Sequence, residues 1–144
     1  MFSFSSKEEY AVLAVLALSV SDDRKLLQVK EISKRERLST RYLEQVMGLL
    51  KKEGLVESVR GPSGGYHLTR LPHEICLSDV LRAVGNRIVA NPPTRQRKGR
   101  AQILQELSDQ VGQGLKTVFD TIHFQSLCQR KKALEAAQAL MYHI

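Results

Sequence analysis

STRYLEQVMGLLKKEG and the LVESVRGPSGGYHL that follows it, residues 39–54 and 55–68, decide the architecture of this chain. In the first stretch Leu43, Val46, Met47 and Leu50 recur at three- and four-residue spacing, which gives a helix one buried stripe. Ser39 is a natural N-cap, because its hydroxyl can accept an amide of the first turn. Gly54 is a left-handed stop at the other end. In the second stretch residues 55–60 and 66–70 are β-like, with Tyr66 and Leu68 alternating against His67 and Thr69. Gly61, Pro62, Ser63, Gly64 and Gly65 between them form a tight hairpin connection. Just upstream, residues 29–37 predict a short helix with Val29 and Ile32 inward and Lys30, Lys34, Arg35 and Arg37 outward. Two short helices joined by a turn of about four residues have helix-turn-helix spacing. With a glycine-tipped hairpin directly behind them, they make a winged helix.

The flanks extend this frame. Ser6, Lys7, Glu8 and Glu9 have the spacing of a capping box, Ser6 to Glu9. Residues 10–18 are apolar on every face, so that helix must be enclosed all round. Ser21, Asp22 and Asp23 end it in a polar turn. After Pro72, Ile75 and Leu77 lead to Ser78, a cap for a short helix over residues 79–84 before Gly85. Residues 91–100 are polar and basic, which predicts a loop. Beyond it Ile103, Leu104, Leu107, Val111, Leu115, Val118, Phe119 and Ile122 trace one face of a long helix. Gly112 and Gly114 each cost that helix ~1 kcal/mol relative to Ala, so packing must supply the difference. The simplest cover for such a stripe is the same helix from a second copy. Leu104, Leu107, Val111, Leu115, Val118, Phe119 and Ile122 are therefore the expected dimer interface. A final amphipathic segment runs from about Leu127 to Met141. The expected class is mostly α with a small β-hairpin: a winged helix-turn-helix over residues 1–85, a basic loop over 86–101, and a dimerisation helix with a C-terminal segment over 102–144.

With 144 residues, 42% hydrophobic and 26% charged, the chain suits one globular domain, or one small domain with an appended helix, and a chain of this size often gains stability by pairing with a copy of itself. Lys and Arg number 22 against 15 acids, a net charge of +7. That favours an anionic partner, nucleic acid or an acidic membrane surface, without choosing between them. Residues 10–18 fall well short of the ~20 a spanning helix requires, and Glu8 and Glu9 precede them instead of basic residues. No membrane span or leader is expected, and the expected location is the cytoplasm. Cys76 and Cys128 show no pairing or metal spacing and read as reduced thiols. No Ser-His-Asp grouping, metal-ligand spacing or dinucleotide fingerprint is present, so an enzyme is not expected.

With Leu43, Val46 and Met47 turned inward, Arg41, Tyr42, Glu44, Gln45 and Gly48 are left outside or at the boundary. The leading end of such a helix can enter the major groove of duplex DNA. Arg41 could take guanine bidentately, Gln45 could pair with adenine, and Glu44 could accept from a cytosine amino group. Ser39, Tyr42 and the first-turn amides suit phosphates. Arg60 on the hairpin could sense minor-groove width, and Gly61, Gly64 and Gly65 would let the backbone approach phosphates. The competing interpretation is a winged-helix module whose exposed face binds another protein, with basic charge incidental.

The chain resembles the winged-helix regulators typified by IscR, NsrR and CymR, the "Rrf-two" family. The resemblance lies in Ser6-Lys7-x-x-Tyr10-Ala11-Val12 and in Tyr42-Leu43-Glu44-Gln45 continuing to Leu50, Lys52, Gly54, Leu55 and Val56. It continues through Ser58-Val59-Arg60-Gly61-Pro62-x-Gly64-Gly65-Tyr66-x-Leu68, and on to Ile75, Leu77, Asp79-Val80 and Leu107-Ser108-Asp109. It implies sequence-specific binding of double-stranded DNA as a two-fold homodimer, more often repressing than activating, with the long helix as main dimer contact. Ser39, Tyr42, Glu44 and Gln45 would serve on the recognition helix, and Arg60 and Gly61 on the wing. Arg41 stands where cluster-binding relatives can carry a small residue, which implies a different operator. Many members hold an iron–sulfur cluster through three cysteines between the wing-side helix and the long helix. Residues 86–102 contain neither Cys nor His here, so no cofactor is expected. An intersubunit site from Cys76, Cys128 and Glu9 would have no recognisable spacing. Arg95, Arg97, Lys98 and Arg100 occupy that region instead, either as a solvated loop or as a site for an anionic effector or additional DNA backbone. The identity of any effector is left open.

Overall fold

The computed structural model describes residues 1–21, 25–90 and 95–143. The polar turn expected at Asp22 and Asp23, and residues 91–94 of the expected loop, lie outside the described residues. In chain order come α1 (Ser6–Val20), α2 (Val29–Glu36), α3 (Thr40–Lys52), β1 (Val56–Val59), β2 (Gly65–Leu68), α4 (Leu77–Ala83), α5 (Arg87–Ala90), α6 (Arg100–Thr121) and α7 (Phe124–Tyr142). A 3-10 turn at Pro72–Glu74 separates the hairpin from α4. The expected class, mostly helical with one small hairpin, is the class observed.

The all-apolar first helix is enclosed as its composition demands. Ala11, Ala14 and Val15 are fully buried, and α3, α4, α7 and β2 all pack on α1. Its cap is Ser5, one residue before the expected Ser6. The Ser5 hydroxyl accepts the Glu8 amide at 3.2 Å, and the Glu8 carboxylate accepts the Ser5 amide at 3.0 Å. The helix starts earlier because the Glu9 amide already donates to the Ser5 carbonyl at 2.9 Å, which places Ser6 inside the first turn.

The wing is antiparallel, pairing Val56 with Leu68 and Val59 with Gly65. Leu27 adds a bridge on the far side of β2: its amide donates to the Tyr66 carbonyl at 3.1 Å, and the Tyr66 amide donates back at 2.8 Å. Close approach of Leu27 is possible because residue 65 has no side chain. A Cβ there would lie 2.7 Å from the Leu27 carbonyl oxygen, at a φ of +148°. Gly65→Ala should therefore lower unfolding free energy by at least ~2 kcal/mol, from steric overlap with backbone and an unfavourable φ. A urea midpoint that moves by no more than an ordinary surface substitution, about 0.5 kcal/mol, would count against this account.

Beyond the wing, α4 is capped by Cys76, whose amide donates to the Asp79 carboxylate at 3.0 Å. The expectation that Ser78 caps this helix is corrected: Ser78 lies inside it, fully buried, and its hydroxyl donates to Asp120 of α6. Two further differences concern the C-terminal third. Residues 87–90, within the stretch read as a loop, form the single turn α5. The first half of α7 is built into the winged-helix core, where Phe124 is fully buried with α1 and α3 residues. The Phe124 amide donates to the Ile75 carbonyl at 3.0 Å, and the Leu77 amide donates to the Ile122 carbonyl at 2.8 Å. Lys131 on α7 pairs with Glu36 at the end of α2 at 2.5 Å.

Candidate nucleic-acid interface

The helix-turn-helix is held from beneath by small hydroxyls. The Ser33 hydroxyl donates to the Leu38 carbonyl at 2.5 Å and lies 2.8 Å from Thr40 Oγ1, which ties the end of α2 to the start of α3. Arg37 takes the left-handed conformation, φ 55°, that turns the chain out of α2. Ser39 caps α3 as expected, accepting the Tyr42 amide at 3.4 Å. Its own amide donates to the Tyr10 hydroxyl at 3.0 Å, and the Tyr10 and Tyr42 rings meet edge to face at 4.7 Å. The first helix thus sets where the leading end of α3 stands.

From that cap, Leu43, Val46, Met47 and Leu50 turn into the core while Arg41, Glu44, Gln45 and Gly48 remain exposed. Arg41, Glu44 and Gln45 lie three and four positions apart, so they share one helix face at its leading end. Among the described residues, neither Arg41 nor Glu44 is engaged in an ion pair. Tyr42 is half-buried against Tyr10, at the edge of this face and not on its front.

On the wing, Arg60 and Gly61 are exposed at the turn. Gly64 and Gly65 are placed differently from the expectation that they open the backbone to phosphate. Gly64 is buried, its amide donates to the Gly61 carbonyl at 2.9 Å, and a Cβ on it would sit 2.1 Å from the Val59 carbonyl oxygen. Gly65 faces Leu27. Both shape the arm from within. The arm is also fastened to the helices: Gln28 Nε2 donates to the Pro62 carbonyl at 3.2 Å, and Lys51 Nζ donates to Ser58 Oγ at 2.7 Å. Sequence reasoning missed Leu27, Gln28, Lys51 and the bond made by Tyr10. Only Tyr10 carried a signal, as part of the motif at residues 6–12.

The expected dimer face divides in two. Leu104, Leu107, Val111 and Val118 are 53–63% exposed on α6, whereas Leu115 and Ile122 are half-buried. Phe119 is corrected as an interface residue. It is 4% exposed and packs within its own chain in a cluster with Leu77, Leu81 and Val89. Its ring also lies 5.6 Å from Phe2. The α6 stripe therefore changes role along its length, joining the protomer's core at its C-terminal end and facing solvent before it.

Two carboxylates at the foot of α6 and α4 are held ionised. The Ser78 hydroxyl and Lys116 keep Asp120 below the usual carboxylate range. At Asp79 burial pushes upward, but the Cys76 amide and thiol with Arg70 and Arg82 outweigh it and leave the group low. Both bonds tie the wing-side helix into its surroundings and leave α3 untouched.

A family described as "Rrf2: Iron-dependent Transcriptional regulator" matches residues 4–130. The regulator IscR of Cereibacter sphaeroides is 44% identical over 82 residues, which cover 56% of this chain and 53% of that protein. IscR of Vibrio campbellii is 41% identical over 86 residues, 60% of this chain and 51% of that protein. The match thus spans about half the length of these curated relatives. Among solved structures, CymR, described as the global cysteine regulator of B. subtilis, superposes with a TM-score of 0.75 at 28% identity, covering 90% of this chain and 98% of that one. T. potens IscR superposes with a TM-score of 0.73 at 31% identity, covering 94% and 90%. No helix among the described residues is long and apolar enough to cross a membrane.

The iron in that family description can be tested against the donors of this chain, and they do not fit a cluster. Residues 86–102 hold no Cys or His, and the chain has two thiols in all. Burial pushes both upward, away from the thiolate form that binds iron. Cys76 Sγ donates to Asp79 at 3.3 Å beneath α4, and Cys128 is buried on α7. Among the described residues no group of three or more His, Cys, Asp or Glu side chains converges.

Proposed function

The chain belongs to the Rrf2 family of DNA-binding transcriptional regulators, and from that premise we propose that it occupies a palindromic operator as a homodimer, represses the promoter it covers, and works without a resident iron–sulfur cluster. The observation that carries this reading is the leading face of α3. Arg41, Glu44 and Gln45 stand exposed together on a helix whose opposite side is fully buried, with the wing braced beside it. A face so presented fits the major groove, where Arg41 pairs with guanine, Gln45 with adenine, and Glu44 accepts from cytosine. The first-turn amides of Thr40 and Arg41, beside the Ser39 hydroxyl, take phosphate, with Tyr42 at the boundary. Arg60 and Gly61 lie along the flank, Arg60 reaching for the minor groove. Leu104, Leu107, Val111 and Val118 pair with their two-fold copies, and the dimer reads half-sites about one helical turn apart. Repression follows the family resemblance, and the cluster-free state follows the donor chemistry above.

The test is fluorescence anisotropy on fragments from the protein's own upstream region, titrated with salt. The native chain should form a promoter-specific complex whose affinity drops steeply as salt rises. Arg41→Ala should raise Kd by roughly 5- to 150-fold, corresponding to about 1–3 kcal/mol, and relax base preference at one position of each half-site. Unchanged affinity for every operator variant would remove Arg41 from the reading face. A native chain with no promoter-specific complex would instead favour a protein-binding winged helix.

A further inference from the structure

The basic charge of this chain is not where a recognition helix would put it. Residues 1–79 hold 12 Lys and Arg against 11 Asp and Glu, a surplus of 12 − 11 = 1. Residues 80–105 hold six cations and no acid, so outside that stretch the chain has 22 − 6 = 16 cations against 15 acids. Six of the seven net charges therefore sit in these 26 residues, outside α3 and the wing. Arg95, Arg97, Lys98 and Arg100 concentrate it, and all four are exposed, with no carboxylate partner among the described residues.

Two attachments place this cluster. At its root, the Asn86 side-chain amide donates to Glu8 at 2.7 Å, in the first turn of α1. That helix also carries Tyr10, whose hydroxyl receives the amide of Ser39. The stretch therefore leaves the body at the first turn of α1, the helix that also anchors the start of α3. At its far end, the Arg97 amide donates to Gln105 at 3.2 Å, which holds the basic residues back against the first turns of α6. Arg100 opens α6 19 residues before Phe119 enters the core, about 28 Å along the axis at 1.5 Å per residue. The cations are thus carried on a basic arm rooted at the N-terminal turn of α1.

We propose that Arg95, Arg97, Lys98 and Arg100 form a second DNA contact, indifferent to sequence, that holds backbone phosphates flanking the operator. The proposal rests on the DNA-binding reading above. Phosphate along a duplex is a regular line of single negative charges, which arginines engage without a shaped pocket. Counterion release follows the phosphates a protein neutralises, and the arm adds four exposed cations per protomer to those of α3 and the wing. In this division α3 and the wing choose the site, and the arm sets the strength and salt sensitivity of the hold.

The experiment compares the native chain with the variant Arg95→Gln, Arg97→Gln, Lys98→Gln, Arg100→Gln on the same promoter fragment from roughly 50 to 200 mM salt. Each lost phosphate contact lowers the log–log salt slope by about 0.9, and a dimer carries the four cations twice. The slope should become shallower by at least ~2, affinity at roughly 0.15 M salt should fall 10-fold or more, and base preference should stay as in the native chain. Arg41→Ala should do the opposite, losing preference while keeping most of the slope. Changing the three arginines to Lys should restore the native slope, which separates charge from folding. Native binding with an identical slope in the glutamine variant overturns the proposal while leaving the regulator reading intact. No salt-dependent promoter complex from the native chain sinks that reading instead, and this one with it. An unchanged DNA slope accompanied by loss of polyglutamate binding would assign the arm to an acidic protein, and loss of inorganic phosphate binding would assign it to a free anion. Either result overturns the proposal.

Discussion

Replacing Leu107 and Val111 together with Asp should give a folded protomer that no longer pairs and no longer holds its operator. Both side chains are more than half exposed in the protomer, so their loss removes little from its own core. In a two-fold interface each substitution counts twice, and four carboxylates would enter an apolar seam. Each lost aliphatic anchor forfeits about 1.5–3 kcal/mol of burial, and each charge adds a desolvation cost on top. Operator affinity should then fall by roughly 10²- to 10⁴-fold, because the second half-site is no longer held at high effective concentration. Sedimentation equilibrium reads the first effect and anisotropy the second. A variant that remains dimeric at micromolar concentration would place the dimer contact elsewhere on the chain.

The second large effect is on stability. Phe124→Ala should cost about 3–5 kcal/mol of unfolding free energy, the range for an aromatic ring removed from a closed core. The ring is fully buried where α7 meets α1 and the residues leading into α4, and the backbone around it is paired to Ile75 and Leu77. That pairing limits collapse into the void, so the cost should fall at the upper part of the range. Urea unfolding must be compared at one protomer concentration, since dimerisation couples stability to mass action. Below its melting temperature the variant should still bind DNA, because α3 and the wing are fastened to each other and to α1 independently of α7. A loss smaller than about 1 kcal/mol would mean that α7 docks only loosely.

The two variants change neighbouring helices yet act on different properties, and only the three-dimensional arrangement separates them. In sequence, Leu107, Val111, Phe119 and Ile122 belong to one uninterrupted stripe. Periodicity identifies a greasy face but not its cover, because burial by the chain itself and burial by a partner demand the same residue types. The structure assigns Phe119 to the protomer's core by bringing α4, α5 and Phe2 onto the C-terminal end of α6.

Local chemistry was sufficient for the helix-turn-helix. Ser39 caps α3, Leu43, Val46, Met47 and Leu50 form its buried stripe, and Gly54 carries the left-handed φ of +81° that follows it. These are short-range requirements, set by hydrogen bonds within one turn and by side-chain spacing, and a single chain displays them directly. The cap positions of α1 and α4 were less legible. Adjacent serines compete at the first, and at the second Asp79 reaches back to the Cys76 amide and leaves Ser78 free to be buried.

By itself the sequence determined a winged helix with Arg41, Glu44 and Gln45 on its outer face, a long apolar-striped helix behind it, and a basic stretch without thiols between them. Only the closed fold reveals that Tyr10 positions α3, that Leu27 extends the wing, that Gly64 and Gly65 serve the wing's shape, and that α7 closes the core through Phe124. The physical reason is range. Caps and periodic stripes depend on neighbours three or four residues away, whereas these contacts join segments tens of residues apart, whose meeting is set by how the whole core closes.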